Sequence, residues 1–427
     1  MIRCRLRDLP RPSPLLLLLL TLPVAYGLTL ARTVVFGDPT EYTFVANILG
    51  IAHPPGYAFY TLLGKLAQTL VPFGDIPWRM HLLSAAAATT AALFVYGTVR
   101  AAGRALAGGR HAPFDVALVA GLFAALCYGL AANVWQHAIH ANPHIVTAAF
   151  LAANLFFLTR WAAAGTRDPR WLYAFALSSG FGLTHHPLTA MSFPAYAIFI
   201  LLARPRLWRE WRTLLGMAGF GLLGLAVWLY FPLRSPMQPA FGPSTMNTLD
   251  GFLDHVLARG LSESLPFVGL ADVPDRALVF WTLLRLQYSL PVIFLAVLGA
   301  VWPFAAGRFR RRDEQPAGQW KLGVLYLLAF AANYAFVMSL RAQDVMAYLL
   351  GPLAIVAVLA GLGLHGLISL LAARTRGAAA PLWLLVTALF LLGPVLQLAR
   401  NAPLISLRGY TAAADYRDAV FDHFDGT

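Results

Sequence analysis

The feature that most constrains this chain is the recurrence of long apolar runs. They lie near residues 13–31, 80–99, 114–132, 145–159, 171–184, 187–203, 213–232, 279–306, 322–340, 345–372 and 378–399. Most approach or reach the roughly 17–25 residues that carry a helix across a bilayer core. In hydrocarbon a spanning segment must satisfy its own backbone polar groups, so runs of this kind become helices. The expected fold is an all-α polytopic membrane protein with about 11 transmembrane helices. Composition agrees: only 12% of the 427 residues are charged, against about 25% in soluble domains.

The polar segments between the runs alternate in charge. With the N-terminus cytoplasmic, one side receives Arg3, Arg5, Arg7 and Arg11, then Arg100, Arg104 and Arg110, then Arg160, Arg167 and Arg170. It also receives Arg204, Arg206, Arg209 and Arg212, the cluster from Arg308 to Lys321, and Arg374 with Arg376. That side holds 21 of the 32 basic residues and only six acids. Such alternation is the positive-inside pattern. The net charge of +13 is thereby explained without nucleic acid. The first run resembles a signal peptide but is expected to remain as a helix, because the alternation depends on it.

Several chemistries find no support. Cys4 and Cys127 give no disulfide framework. There is no P-loop and no dinucleotide fingerprint. The histidines show no HExxH-like spacing, so no cofactor is expected, although a divalent metal stays open.

The first outer loop, about Arg32 to Arg79, is far longer than a tight helix connection. Tyr42, Val45, Ala46 and Leu49 follow amphipathic-helix spacing, and a second short helix is expected after Gly56. Both suit a membrane interface. Asp38 and Glu41 open this stretch. Asp38 as N-cap, Pro39 at the first helical position and Glu41 closing a capping box would make the pair purely structural. A carboxylate fixed there could equally act in catalysis.

Other polar residues gather on the same expected side. They include Arg79, then His137, Asn142 and His144, then His185 and His186. Arg234 stands in a second long outer loop, 232–278, and Arg341 with Asp344 in a later turn. Each alone reads as a snorkelling or capping group. Together they suggest a polar cavity at one membrane surface. A transporter or flippase of a lipid or lipid-linked sugar is the alternative. Transporters keep ionisable residues within their spans, whereas His365 is the main intramembrane candidate here, and no inverted repeat is visible.

The stretch "DPTEYTFVANILGIAHPPGYAFYTLLGKLAQTLVPFGDIPWRMHLLSA" resembles the first-loop signature of the family containing transmembrane protein O-mannosyltransferases, integral membrane glycosyltransferases of GT-C type. Weaker resemblance continues through "GLTHHPLTA", "YFPLRSP" and "DVMAYLLGPLA". Pro39-Thr40 replaces the Ser-Gly that members often carry between the acids. Asn142 stands where many have an acid. Many members also continue into a longer C-terminal region.

The resemblance implies a GT-C-like domain over 1–400 and a short non-cytoplasmic tail over 401–427. It implies transfer of a hexose, mannose favoured, from a polyprenyl-phosphate-linked donor. The acceptor would be a hydroxyl, in the leading version Ser/Thr of an exported protein. Asp38 and Glu41 would be catalytic. His53, Arg79, Arg234, Arg341 and Asp344 would meet the donor or its phosphate. Tyr57, His137, Asn142, His144, His185 and His186 would contact sugar or acceptor. The expected setting is a bacterial inner membrane, or the endoplasmic reticulum in a eukaryote, with a non-cytoplasmic active site.

Overall fold

In the computed structural model, which describes residues 14–107, 115–260, 269–309, 318–340, 345–374 and 380–425, the leucine run opens helix α1 (Pro14–Thr29). The long first loop then folds into α2 (Asp38–Ile48) and α3 (Ala58–Leu70), as the apolar spacing predicts. The chain continues through α4 (Ile76–Ala107), α5 (Val116–Gly129), α6 (Ala132–Ala138), α7 (His144–Ala163), α8 (Arg170–His185) and α9 (Phe193–Ala203). A bent run holds α10 (Trp211–Leu225) and α11 (Tyr230–Arg234), and α12 (Leu249–Val256) lies in the second long loop. The last part comprises α13 (Val273–Gln287), α14 (Leu290–Ala305), α15 (Trp320–Ser339), α16 (Val345–Tyr348), α17 (Leu350–Arg374), α18 (Ala380–Ile405) and α19 (Ala412–Asp425).

Six helices among the described residues are long and apolar enough to cross a membrane, and up to eight if two bent pairs each count as one span. The expected number of about 11 is therefore not reached on length and apolarity. Two apolar stretches, Leu15–Thr29 and Pro187–Ala203, are shorter. Another expected span, 279–306, is interrupted. It breaks between α13 and α14 with a 115° bend, because Tyr288 leaves helical geometry and Pro291 opens a new helix. Helix α18 runs across residue 400 to Ile405.

Lipid rather than water suits the outer surface. Leu15, Leu19 and Leu20 on α1, Leu215 and Leu222 on α10, Phe294 and Val297 on α14, and Leu389 and Leu396 on α18 are all exposed. Apolar bands of this extent mark membrane contact. Inside, α17 is the most buried span and packs closely on α14. Gly299 and Gly363 make that approach possible. A Cβ built on Gly299 would fall against the Leu359 carbonyl, and one on Gly363 against the Leu295 carbonyl. Small residues at helix contacts are how membrane helices gain van der Waals packing.

Candidate active site in the first loop

Helix α2 begins one residue earlier than the expected N-cap. Gly37, at φ 85°, is the cap, and Asp38 is the first helical residue, with no side-chain cap bond. The expected capping box does not form. Glu41 turns instead to His53: Oε1 accepts from the His53 backbone N–H at 2.8 Å, and Oε2 pairs with Nδ1 at 2.8 Å. Asp38 is exposed at a helix N-terminus, where the dipole favours a negative charge.

The Glu41–His53 pair sets its own protonation. Burial pushes the Glu41 carboxyl up, but the His53 hydrogen bonds outweigh it and hold the group below its ordinary value. Burial pulls His53 down, but Glu41 and then the Asp38 charge bring it out above its ordinary value. With Nδ1 directed at Glu41, the Nε2 edge faces the Tyr42 hydroxyl at 3.4 Å.

The His53-Pro54-Pro55-Gly56 turn delivers Tyr57 into the middle of the site. Gly56 has φ 92°, and a Cβ there would lie 2.6 Å from Phe231 Cζ. Only glycine meets both demands. Tyr57 follows at φ 50°, and its ring centroid lies 5.2 Å from Tyr42, 5.6 Å from His53 and 5.5 Å from His186. His144 and His185 lie at 6.2 and 6.0 Å. Tyr57 is thus the hub joining the acid loop to the histidines.

Most of these histidines are held by the backbone. His186 Nδ1 accepts from the Leu188 N–H, and burial, then His185 and His53, pull its pKa to about 3. His185 Nε2 lies 2.7 Å from the Pro143 carbonyl and His137 Nδ1 lies 2.7 Å from the Asn133 carbonyl. His144 Nδ1 is buried without a hydrogen-bond partner among the described residues. Asn142, also buried, caps α7 by accepting from the His144 and Ile145 amides.

A cleft of about 540 Å³ opens beside α2, lined by Asp38, Tyr42, His137, His140, Asn142, His144 and the segment Leu404–Leu407. Asp38, Glu41 and His53 also place one ligand atom each within 4.8 Å of one another. Two oxygens and an imidazole nitrogen could hold a divalent cation, at the cost of parting Glu41 from His53.

The expected phosphate-binding arginines are placed differently. Arg79 Nη1 donates to the Gln68 carbonyl at 2.6 Å and Nε to Gly74 at 3.1 Å. Arg234 Nε donates to Leu49 at 2.6 Å and Nη2 to Ile48 at 3.2 Å, closing the C-terminal end of α2. Arg341 and Asp344 lie outside the described residues.

Three further contributors were not among the expected site residues. Tyr348 packs its ring 4.6 Å from His144. His255 Nε2 meets the Ala52 carbonyl at 2.9 Å. Leu404–Leu407 come from the far end of the chain. "DVMAYLLGPLA" held the only signal for Tyr348; nothing local marks the other two as neighbours of the acid loop.

Residues 38–209 match the family model of the Protein O-mannosyl-transferase TMEM260 N-terminal domain. Protein O-mannosyl-transferase TMEM260 of Mus musculus is 29% identical over 358 residues, 81% of this chain and 48% of its own length. The Dictyostelium discoideum protein of the same name is 26% identical over 261 residues, 57% of this chain and 30% of its own. The chain thus spans half or less of these relatives. Its fold is similar to that of ArnT from Cupriavidus metallidurans, crystallised with undecaprenyl phosphate: TM-score 0.53 and 14% identity, over 92% of this chain and 75% of that one. By its acid motif and its all-helical fold, the chain resembles the GT-C-type transmembrane protein O-mannosyltransferases.

Proposed function

We propose that this chain is a membrane glycosyltransferase that moves a hexose, mannose in the leading version, from a polyprenyl-phosphate carrier to a hydroxyl acceptor. Ser/Thr of an exported protein is the favoured acceptor, and the non-cytoplasmic face the favoured side. One observation carries the reading: Asp38 stands exposed at the mouth of a polar cleft, while Glu41 three residues on is engaged by His53.

This division suits the chemistry. An acceptor hydroxyl is a weak nucleophile, and Asp38 can take its proton as the oxygen attacks the anomeric carbon. The new C–O bond forms as the bond from that carbon to the carrier phosphate breaks, and the electron pair leaves with the phosphate. Glu41 orients His53, and a charged imidazole there would stabilise the departing phosphate once its Nε2 edge is released from the Tyr42 hydroxyl. Tyr57, His144 and Asn142 would frame the sugar or acceptor. Arg79 and Arg234 each direct two donors at backbone carbonyls, so phosphate recognition would fall to the N–H groups left over.

The test is transfer of labelled mannose from a polyprenyl-phosphate donor to a peptide by the purified full chain. A glycosidic product lost in Asp38→Asn supports the reading. Substrate accumulation in sealed vesicles with no such product supports the transporter alternative.

A further inference from the structure

A second cavity, about 390 Å³, lies in the elbow between α13 and α14, closed on one side by α18. Arg285 and Arg400 line it. Both are exposed, and neither has an acidic or hydrogen-bond partner among the described residues.

Gln287, 4% exposed, lines the same cavity. Its Oε1 accepts from the Asn133 N–H at 2.7 Å, which fixes the amide and leaves Nε2, a donor, with no partner among the described residues. The opening turn of α14 also borders the space, and Ser289 caps it without a side-chain bond. A helix N-terminus favours an anion. Two arginines, a buried amide donor and a helix start therefore border one cavity, and no carboxylate among the described residues lines it.

The remaining walls are apolar. Leu286, Leu290 and Leu396 are each at least half exposed and belong to faces that suit lipid. The elbow is also a neighbour of the first cleft. α18 lends Asn401 to the elbow and, one turn on, Leu404 to the cleft. α6 holds the elbow's Gln287 through the Asn133 N–H and lends Gln136 to the cleft.

We propose that the elbow is a binding site for the phosphate headgroup of a lipid, held by Arg285, Arg400 and Gln287 with the chain running along Leu286 and Leu396. Arginine suits this task because its planar fork makes paired contacts with phosphate oxygens. A headgroup held here sits beside the Asp38 cleft without using the arginines that close α2 and α3. The proposal rests on the membrane reading of the bundle, and it stands whether or not sugar is transferred.

Equilibrium binding of farnesyl phosphate, farnesol and inorganic phosphate to the full chain in phosphate-free maltoside detergent, without sugar or acceptor, tests it apart from catalysis. Farnesyl phosphate should bind at least about tenfold more tightly than farnesol or inorganic phosphate. The double variant Arg285→Gln/Arg400→Gln should lose about tenfold or more of that affinity, and the double lysine variant should recover only part. Leu396→Trp, on a lipid-facing surface, should weaken farnesyl phosphate by filling the groove, and it serves if the double variant does not fold. Unchanged farnesyl phosphate affinity in the folded variants would overturn the proposal. Equal affinity for farnesol would reduce the elbow to an apolar groove, and equal affinity for inorganic phosphate to a free-anion site; either rejects it.

Discussion

Glu41 accepts two hydrogen bonds from His53, one from the backbone N–H and one from Nδ1, both at 2.8 Å. One carboxylate therefore fixes both the path of the loop and the direction of the imidazole. Asp38, one helical turn earlier, lines the cleft and brings a carboxylate oxygen within 4.8 Å of the same pair. The two acids of the motif differ in surroundings and should differ in function.

Asp38→Asn should lower transfer by about 10²–10⁴-fold, the usual contribution of a general base, with little change in melting temperature. Glu41→Gln should lower transfer less, because glutamine can still accept from the His53 N–H while losing the charge. Comparing initial rates with thermal melts separates the two. Normal turnover with a lowered melting temperature in Asp38→Asn would make it a helix-start residue only.

The clamp should also respond to pH on both sides. Glu41 titrates below its ordinary 4.5 in the fold, so its contribution is present above that value and is lost as pH falls through the lowered one. His53 titrates above its ordinary 6.5, so its contribution is full below 6.5 and fades as pH rises through the raised value. Asp38 faces the same imidazole and adds to the upward shift. Protection of the His53 amide from hydrogen exchange, corrected for intrinsic rate, should be greatest between about pH 4.5 and 6.5. Flat protection from pH 4 to 9 would contradict this.

Arg234→Ala should remove the donors that close α2 at Ile48 and Leu49. Hydrogen bonds from a charged group contribute about 1.5–3 kcal/mol, so a clear fall in melting temperature is expected. Lysine should restore only part, since it lacks the second arm of the guanidinium. If alanine instead leaves stability intact and weakens only donor binding, the arginine belongs to phosphate recognition.

Gly363→Val should be among the more damaging changes in the spans. The new side chain would meet the Leu295 carbonyl on α14, and overpacking of a tight contact costs about 1–3 kcal/mol, sometimes more. Gly393→Val, where nothing lies within 4 Å of a built Cβ, is the matched control. Equal melts for the two variants would show that the α14–α17 approach is loose.

Sidedness is open to cysteine labelling. Cysteines at Asp38, His53, Arg234 and the C-terminal tail should react with an impermeant reagent from the non-cytoplasmic side. Those at Arg104 and Arg206 should react from the cytoplasmic side. Labelling of Asp38→Cys from the cytoplasm alone would invert the topology and remove the exported acceptor.

Helical character and the acid loop were legible because both are written in local patterns: long apolar runs, and a motif of acids, histidine, prolines and glycine within twenty residues. The role of Glu41 was not. Its spacing from Asp38 satisfies a capping box, and only the fold shows His53 competing successfully for both oxygens. The elbow at Tyr288 escaped because apolar residues continue on both sides of it, so periodicity carries no mark of the bend. Leu404–Leu407 and Tyr348 reach the site through packing between distant helices, which one-dimensional spacing does not encode.

The closure of α2 by Arg234 has a consequence for where this protein can be cut. The segment that matches the family model, 38–209, contains the whole acid motif. Yet the carbonyls of Ile48, Leu49, Gly50 and Ala52 are met by Arg234, Tyr230 and His255, all beyond residue 209. A fragment ending there would carry Asp38 on a helix whose last turn has lost its partners. The edge of the family-model match is thus not an edge of packing, since the end of α2 and the stretch after it are completed by residues as far on as α12.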